Sequence, residues 1–206
     1  MTIFDRAMLL LTGLVAIYLI FELVKKQKNP DTAEKSNIYY IVSFAVLLVS
    51  GLLLIFFGWG ILGNKLVAIV AGFIPFCLAT GLVAKYFPDS EMKYLALMVV
   101  GFLAITVTRL GGMVLPGKIV YPLFHAIAGL TIFGIPIYLV KKEKVKSSFI
   151  FVTIGGTLIG LGGIALAFLK GGKQLLFFSQ EFVLLILAPL LFLMALSFTI
   201  GLLKGE

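Results

Sequence analysis

One cysteine, one histidine and one tryptophan are spread over 206 residues, and only 13% of the residues are charged. A lone thiol, Cys77, excludes a disulfide within the chain and any cysteine-based metal cluster. A lone imidazole, His125, excludes bis-histidine haem ligation within one chain. The Asp and Glu residues number nine. They form no paired carboxylates, and no nucleophile–base pair can be built from a single histidine, so a stand-alone enzyme is not expected. The shortage of charge excludes a fold class as well. With 61% hydrophobic residues and a mean hydropathy of +1.16, a soluble domain of this length could not cover its surface. The chain reads as an all-α integral membrane protein, forming a single transmembrane domain.

What the sequence does contain is long apolar runs. At 1.5 Å per residue, about 20 residues cross a hydrocarbon core of roughly 30 Å. Seven such spans are expected: 7–24, 38–57, 66–84 (kinked by Pro75), 92–115, the stretch between Lys118 and Lys141, 149–169 and 182–203 (bent by Pro189). No cleavage signature follows the first, which is read as a retained helix rather than a signal peptide. Trp59 in the GWGILGN turn is placed as an interface anchor. The KYFPDSEMK loop, with Asp89 and Glu91, is expected to be solvated. The run from Tyr94 to Thr108 is short for a span. Continuing it through Leu115 makes up the length, with Arg109 as its one charge and Pro116-Gly117 as the turn into the fifth span. The alternative ends that helix near Arg109 at Gly111-Gly112, with the guanidinium reaching the headgroups. In the sixth span Gly156, Gly160, Gly163 and Ala167 recur at steps of four, three and four, a pattern for close helix packing. These glycines are no phosphate loop, since no lysine follows at the required spacing.

Between Lys118 and Lys141 the only strongly polar side chain is His125, and an ionisable residue at such depth is a functional candidate. Helical periodicity puts Tyr121, Ala128, Gly129, Ile132 and Pro136 on its face, with Leu123, Ile127 and Leu130 pointing away. If the fourth helix reaches Leu115, Arg109 and His125 lie at similar depth on two arms of a hairpin. An anion between them would relieve the juxtaposition: a haem propionate, an anionic semiquinone, or Glu181, which enters from the same side. Ser179 caps the last span, and Glu181 in its first turn also suits the helix dipole. The candidate site is therefore His125, Arg109, Tyr121, Gly129 and Glu181, with His125 a metal ligand only if haem is bound. The opposing reading is a neutral imidazole hydrogen-bonded between helices.

Seven spans divide as three, one and three. Gly13-Leu14 and Lys25-Lys26-x-Lys28 correspond to Gly129-Leu130 and Lys141-Lys142-x-Lys144, Gly51 to Gly163, and Pro75 to Pro189. This suggests a parallel repeat of about 7–84 and 119–203, joined by a linker helix at about 92–115. Six of the 17 Lys and Arg residues fall on one side of such a bundle and eleven on the other. The richer side is expected to be cytoplasmic, giving N-terminus out and C-terminus in. That asymmetry accounts for the net charge of +8, so no nucleic-acid partner is expected. The topology is similar to that of SWEET-type sugar transporters in helix count alone. Their proline-glutamine loop motif and intramembrane asparagines are missing, so the resemblance carries over no residues. A rhodopsin-like reading fails because the last span has no lysine before Lys204.

Three functions remain open. The first is a subunit of an electron-transfer or respiratory assembly that binds a quinone or haem b near the outer face, through His125 and Arg109. The second is a transporter or channel built on the repeat, and the third is a structural subunit. The expected surroundings are a lipid bilayer, of a prokaryotic inner or plasma membrane, with other membrane subunits or further copies of the chain as partners. Single cysteines replacing Lys35 and Lys146, in a background lacking Cys77, are expected to react only from the cytoplasmic side. Labelling of both from outside intact cells would reverse the orientation.

Overall fold

The computed structural model describes the backbone of residues 1–170 and 179–205, and the side chains of 1–164, 179 and 181–205. All regular structure among these residues is helical: α1 (Ile3–Lys28), α2 (Lys35–Phe57), α3 (Lys65–Ala71), α4 (Phe73–Tyr86), α5 (Glu91–Leu110), α6 (Val114–Lys141), α7 (Ile150–Lys170) and α8 (Gln180–Lys204). Helices α3 and α4 form one interrupted span, Lys65–Tyr86, so the described residues contain seven segments long and apolar enough to cross a membrane. The ends are set by local chemistry. Thr2 and Asp5 form a reciprocal capping box on α1. The Asn64 side-chain oxygen accepts from the Leu66 and Val67 N–H groups at 2.9 and 3.3 Å, starting α3. Ser179 Oγ accepts from the Phe182 N–H at 3.2 Å, starting α8.

The helices pack as a ring. Going round it, α1 meets α2, α2 meets the α3–α4 span, α4 meets α6, α6 meets α7, α7 meets α8, and α8 returns to α1. Helix α5 packs in the angle between α4 and α6. Hydropathy does not separate inside from outside here, because lipid is as apolar as leucine. Leu19 and Leu82 are fully buried, whereas Leu130 and Leu185 are exposed. Small residues make the difference. Ala16, Ala79, Ala128 and Ala195 are all buried in the ring, and Gly81 lets α4 approach Tyr40 of α2. Hydroxyls cross between helices to lock the contacts: Ser43 donates to the Ile74 carbonyl at 2.7 Å, Tyr94 to Thr131 at 2.8 Å, and Thr153 to the Phe133 carbonyl at 2.8 Å.

Three expectations need correction. The fourth span ends at Leu110 rather than Leu115. The turn is at Gly111-Gly112, where Gly112 takes a left-handed backbone (φ 67°), and Pro116-Gly117 falls inside the first turns of α6. The span gets its length at the other end, because α5 begins at Glu91 and its 20 residues reach about 30 Å.

That shift is allowed by the second correction. Glu91 is not solvated but only 7% exposed, accepting from Tyr39 Oη at 3.1 Å and facing Lys35 Nζ at 3.3 Å. A second pair, Lys85 Nζ to Glu34 Oε2 at 2.8 Å, lies at the same lysine-rich end. Partial burial would raise the Glu34 carboxyl, but Lys85 and the Ser36 hydroxyl hold it below the usual carboxylate range.

The third correction concerns the glycine face of α7. Open space surrounds Gly160 and Gly163, while Gly155 abuts Phe198 of α8 and Gly156 abuts Ile132 of α6; Ala167 lies outside the described side chains. Steps of three and four follow one face, but α7 has two neighbours, and the packed glycines divide between them.

Within α8, Gly201 comes close to the backbone of α7: an added Cβ would lie 2.8 Å from the Val152 nitrogen. Gly201→Leu should therefore lower thermal stability in detergent, by about 1–3 kcal/mol or more, because backbone cannot move aside. Gly160→Leu should leave stability unchanged or slightly raised. Equal losses from both would refute this packing.

Candidate functional site

Arg109 is the penultimate residue of α5, and Tyr121 and His125 lie one turn apart on α6. Spacing of four residues on a helix puts the two rings on one face, and they stack with centroids 4.0 Å apart and planes 21° apart. The Arg109 guanidinium lies over the Tyr121 ring, 4.6 Å from its centroid. With the imidazole covering one face, the guanidinium takes the other, so the order is Arg109, Tyr121, His125. A cation on a tyrosine face is stabilised by the ring quadrupole, which offsets part of the cost of holding Arg109 beside the histidine. Among the described residues, Arg109 Nε is buried without a hydrogen-bond partner.

The histidine is defined further by its own helix. Its Nδ1 lies 3.1 Å from the Tyr121 carbonyl oxygen. A carbonyl only accepts, so Nδ1 is the donor in this contact and Nε2 is the ring nitrogen left to meet another group. On its far side are Phe76 of α4, at 5.5 Å between ring centroids, and Gly72 at the α3–α4 break. A Cβ at Gly72 would stand 3.9 Å from His125 Cε1, so the missing side chain brings backbone alongside the ring. Pro75 contributes to the break, having no N–H for the carbonyl of Ala71. Phe73 and Phe102, 4.4 Å apart, extend the aromatic wall toward α5. Gly129, one turn beyond His125, is half-buried with open space at its Cα.

Of the five anticipated residues, the structure brings Arg109, Tyr121 and His125 into one stack, with Gly129 beside it on α6. Glu181 is elsewhere. It is exposed in the first turn of α8, whose neighbours are α1 and α7, and no ion pair joins it to Arg109 among the described residues. Sequence reasoning missed Gly72 and Phe76. Their only signal was Pro75, which was read as a kink in one continuous helix. Among the described residues no group of three His, Cys, Asp or Glu side chains is placed to hold a metal. No protein family, curated protein or solved structure matches this chain.

The stack makes a coupled pair of Arg109 and Tyr121. Arg109→Ala should cost about 0.5–2 kcal/mol in detergent unfolding, and much less in a Tyr121→Leu background. Full additivity of the two substitutions would mean that the guanidinium does not rest on the ring.

Proposed function

We propose that this protein is a membrane subunit of an electron-transfer assembly and binds a lipophilic quinone at Arg109, Tyr121 and His125. The observation that carries the reading is the buried Nε–H of Arg109, without a hydrogen-bond partner among the described residues, in one stack with a histidine whose Nδ1 is engaged by the Tyr121 carbonyl. A hydroquinone offers a hydroxyl donor and an oxygen acceptor on one flat ring, suited to the aromatic wall of Phe73, Phe76 and Phe102 beside the imidazole. A haem asks for more, namely a clear axial approach and a second ligand from elsewhere. When bound, a quinone supplies two-electron, two-proton chemistry. The chain's part is to accept a hydrogen bond at Nε2, to place positive charge at the same end of the bundle, and to keep water from the ring. Electrons would pass to and from neighbouring subunits, since one cysteine and one histidine leave this chain few ligands for a redox centre of its own.

A second reading, a transporter built on two parallel three-helix repeats, is favoured by the ring. The neighbours of α1, α2 and the α3–α4 span recur, in order, as those of α6, α7 and α8, with α5 outside the ring. The lining it would give a solute is apolar, which favours the quinone reading.

The purified protein should bind a short-chain benzoquinol saturably. His125→Ala should weaken that binding about 5- to 30-fold, the worth of one to two kcal/mol, while assembly persists. Unchanged affinity in His125→Ala would remove the site.

A further inference from the structure

Between α1, α2, α7 and α8, in the half of the bundle away from the lysine-rich end, lies a crevice of about 240 Å³. Its walls are aliphatic. Leu10, Leu14 and Ile17 of α1 and Leu52 of α2 line it and are exposed, so it opens along the flank of these two helices. Leu10 stands about 10 Å along α1 from Ile3, and Ile17 about 21 Å, which puts the opening at hydrocarbon depth. An apolar cavity of roughly 150 Å³ accepts a benzene ring, so this one has room for a stretch of hydrocarbon chain. Gly51 lines it with no atom within 4 Å of an added Cβ.

The face of α1 that lines the crevice carries a cation one turn beyond it. Arg6 precedes Gly13 by seven residues and Ile17 by eleven, and on a helix of 3.6 residues per turn both steps return to within about 20° of the same direction. Arg6 is exposed, and no ion pair joins its guanidinium to a carboxylate among the described residues. The neighbouring carboxylate is engaged elsewhere: Asp5 accepts from the Thr2 N–H at 2.6 Å and the Thr2 hydroxyl at 2.9 Å. We propose that an anionic glycerophospholipid binds here, with its phosphate on Arg6 and one acyl chain in the crevice. The order along the helix fits such a molecule. About 6 Å of axis separates Arg6 from Leu10, the interval that glycerol and ester groups occupy between a phosphate and its first methylenes. A guanidinium without a carboxylate partner favours a headgroup of net negative charge over one that carries its own ammonium. The crevice shares no residue with the His125 stack, so this lipid site stands independently of the quinone reading.

Trp59, the only tryptophan, reports on this site, because it packs against Leu9 and Leu54, and both of these line the crevice. Bromine on an acyl chain quenches tryptophan at short range. Trp59 emission can therefore be followed in phosphatidylcholine nanodiscs as chain-brominated phosphatidylglycerol is mixed in, and separately with chain-brominated phosphatidylcholine. The phosphatidylglycerol should reach half-maximal quenching at a mole fraction about fivefold lower, the worth of one basic residue at a membrane surface. Arg6→Gln should bring the two curves together and leave the phosphatidylcholine curve as it was. Gly51→Leu should lower the maximal quenching by either lipid, because the leucine takes the place of the chain. Coincident curves in the wild type, a preference that survives Arg6→Gln, or undiminished quenching in Gly51→Leu would each overturn the proposal. Arg6 is exposed near the start of its helix, so Arg6→Gln tests the phosphate contact without disturbing the packed core. A loss of helical signal or monodispersity in Gly51→Leu would contradict the open space at that position, and the proposal with it.

Discussion

Hydrocarbon offers no hydrogen bonds, and much of this structure follows from that. Each peptide group in the spans must find a partner within the protein, which is why the described spans are helical. The same demand governs side chains. Thr12, Thr80, Thr106 and Thr199 each return their hydroxyl to the carbonyl four residues earlier, at 2.7–2.8 Å, and so present a methyl rather than a dipole to their neighbours. His125 does likewise with Nδ1. Several features depart from this economy. Pro75, Pro122, Pro136 and Pro189 each withhold a donor inside a span, with the third span interrupted near Pro75, and Arg109 Nε is buried with no hydrogen-bond partner among the described residues. The break in the third span and Arg109 Nε border the same histidine or its stacking partner, and their convergence there is the main argument for a binding site.

A second consequence is that the ring is sorted by size instead of polarity. Alanines and glycines face inward where backbones approach, while large aliphatics occur on both faces. Where small residues meet no neighbour, at Gly51, Gly129 and Gly160, they leave space. In a soluble core such gaps cost stability through lost contacts. Facing lipid, a gap can be occupied by a chain, so the cost is smaller and such a gap can serve as a binding surface.

The seven spans were legible because apolar length alone specifies a crossing, and the Ser179 cap because its chemistry is local. The end of the fourth span was misread for an instructive reason. Glu91 looked like a loop residue, so the run seemed to begin at Tyr94 and had to be extended past Gly111-Gly112 to reach full length. Only tertiary structure supplies Tyr39 and Lys35, some 50 residues away in sequence, and these let Glu91 start the helix inside the bundle. Pairing of this kind leaves no trace in local periodicity. The glycine seam failed similarly, since period identifies a face but not which helix meets it. At the site, the sequence indicated the His125 face and its neighbour Tyr121. The order of the stack, with the tyrosine between two bases, depended on where α5 stops, and so did the fate of Arg109.

The account turns on the state of one imidazole, and ¹⁵N NMR of the protein labelled at its single histidine reads that state directly. In lipid, the account predicts a neutral ring with Nδ1 protonated and Nε2 bare, and an upfield shift of the Nε2 resonance alone when a long-chain quinol is added. A ring protonated at Nε2 without ligand, or a spectrum indifferent to quinol, would contradict it.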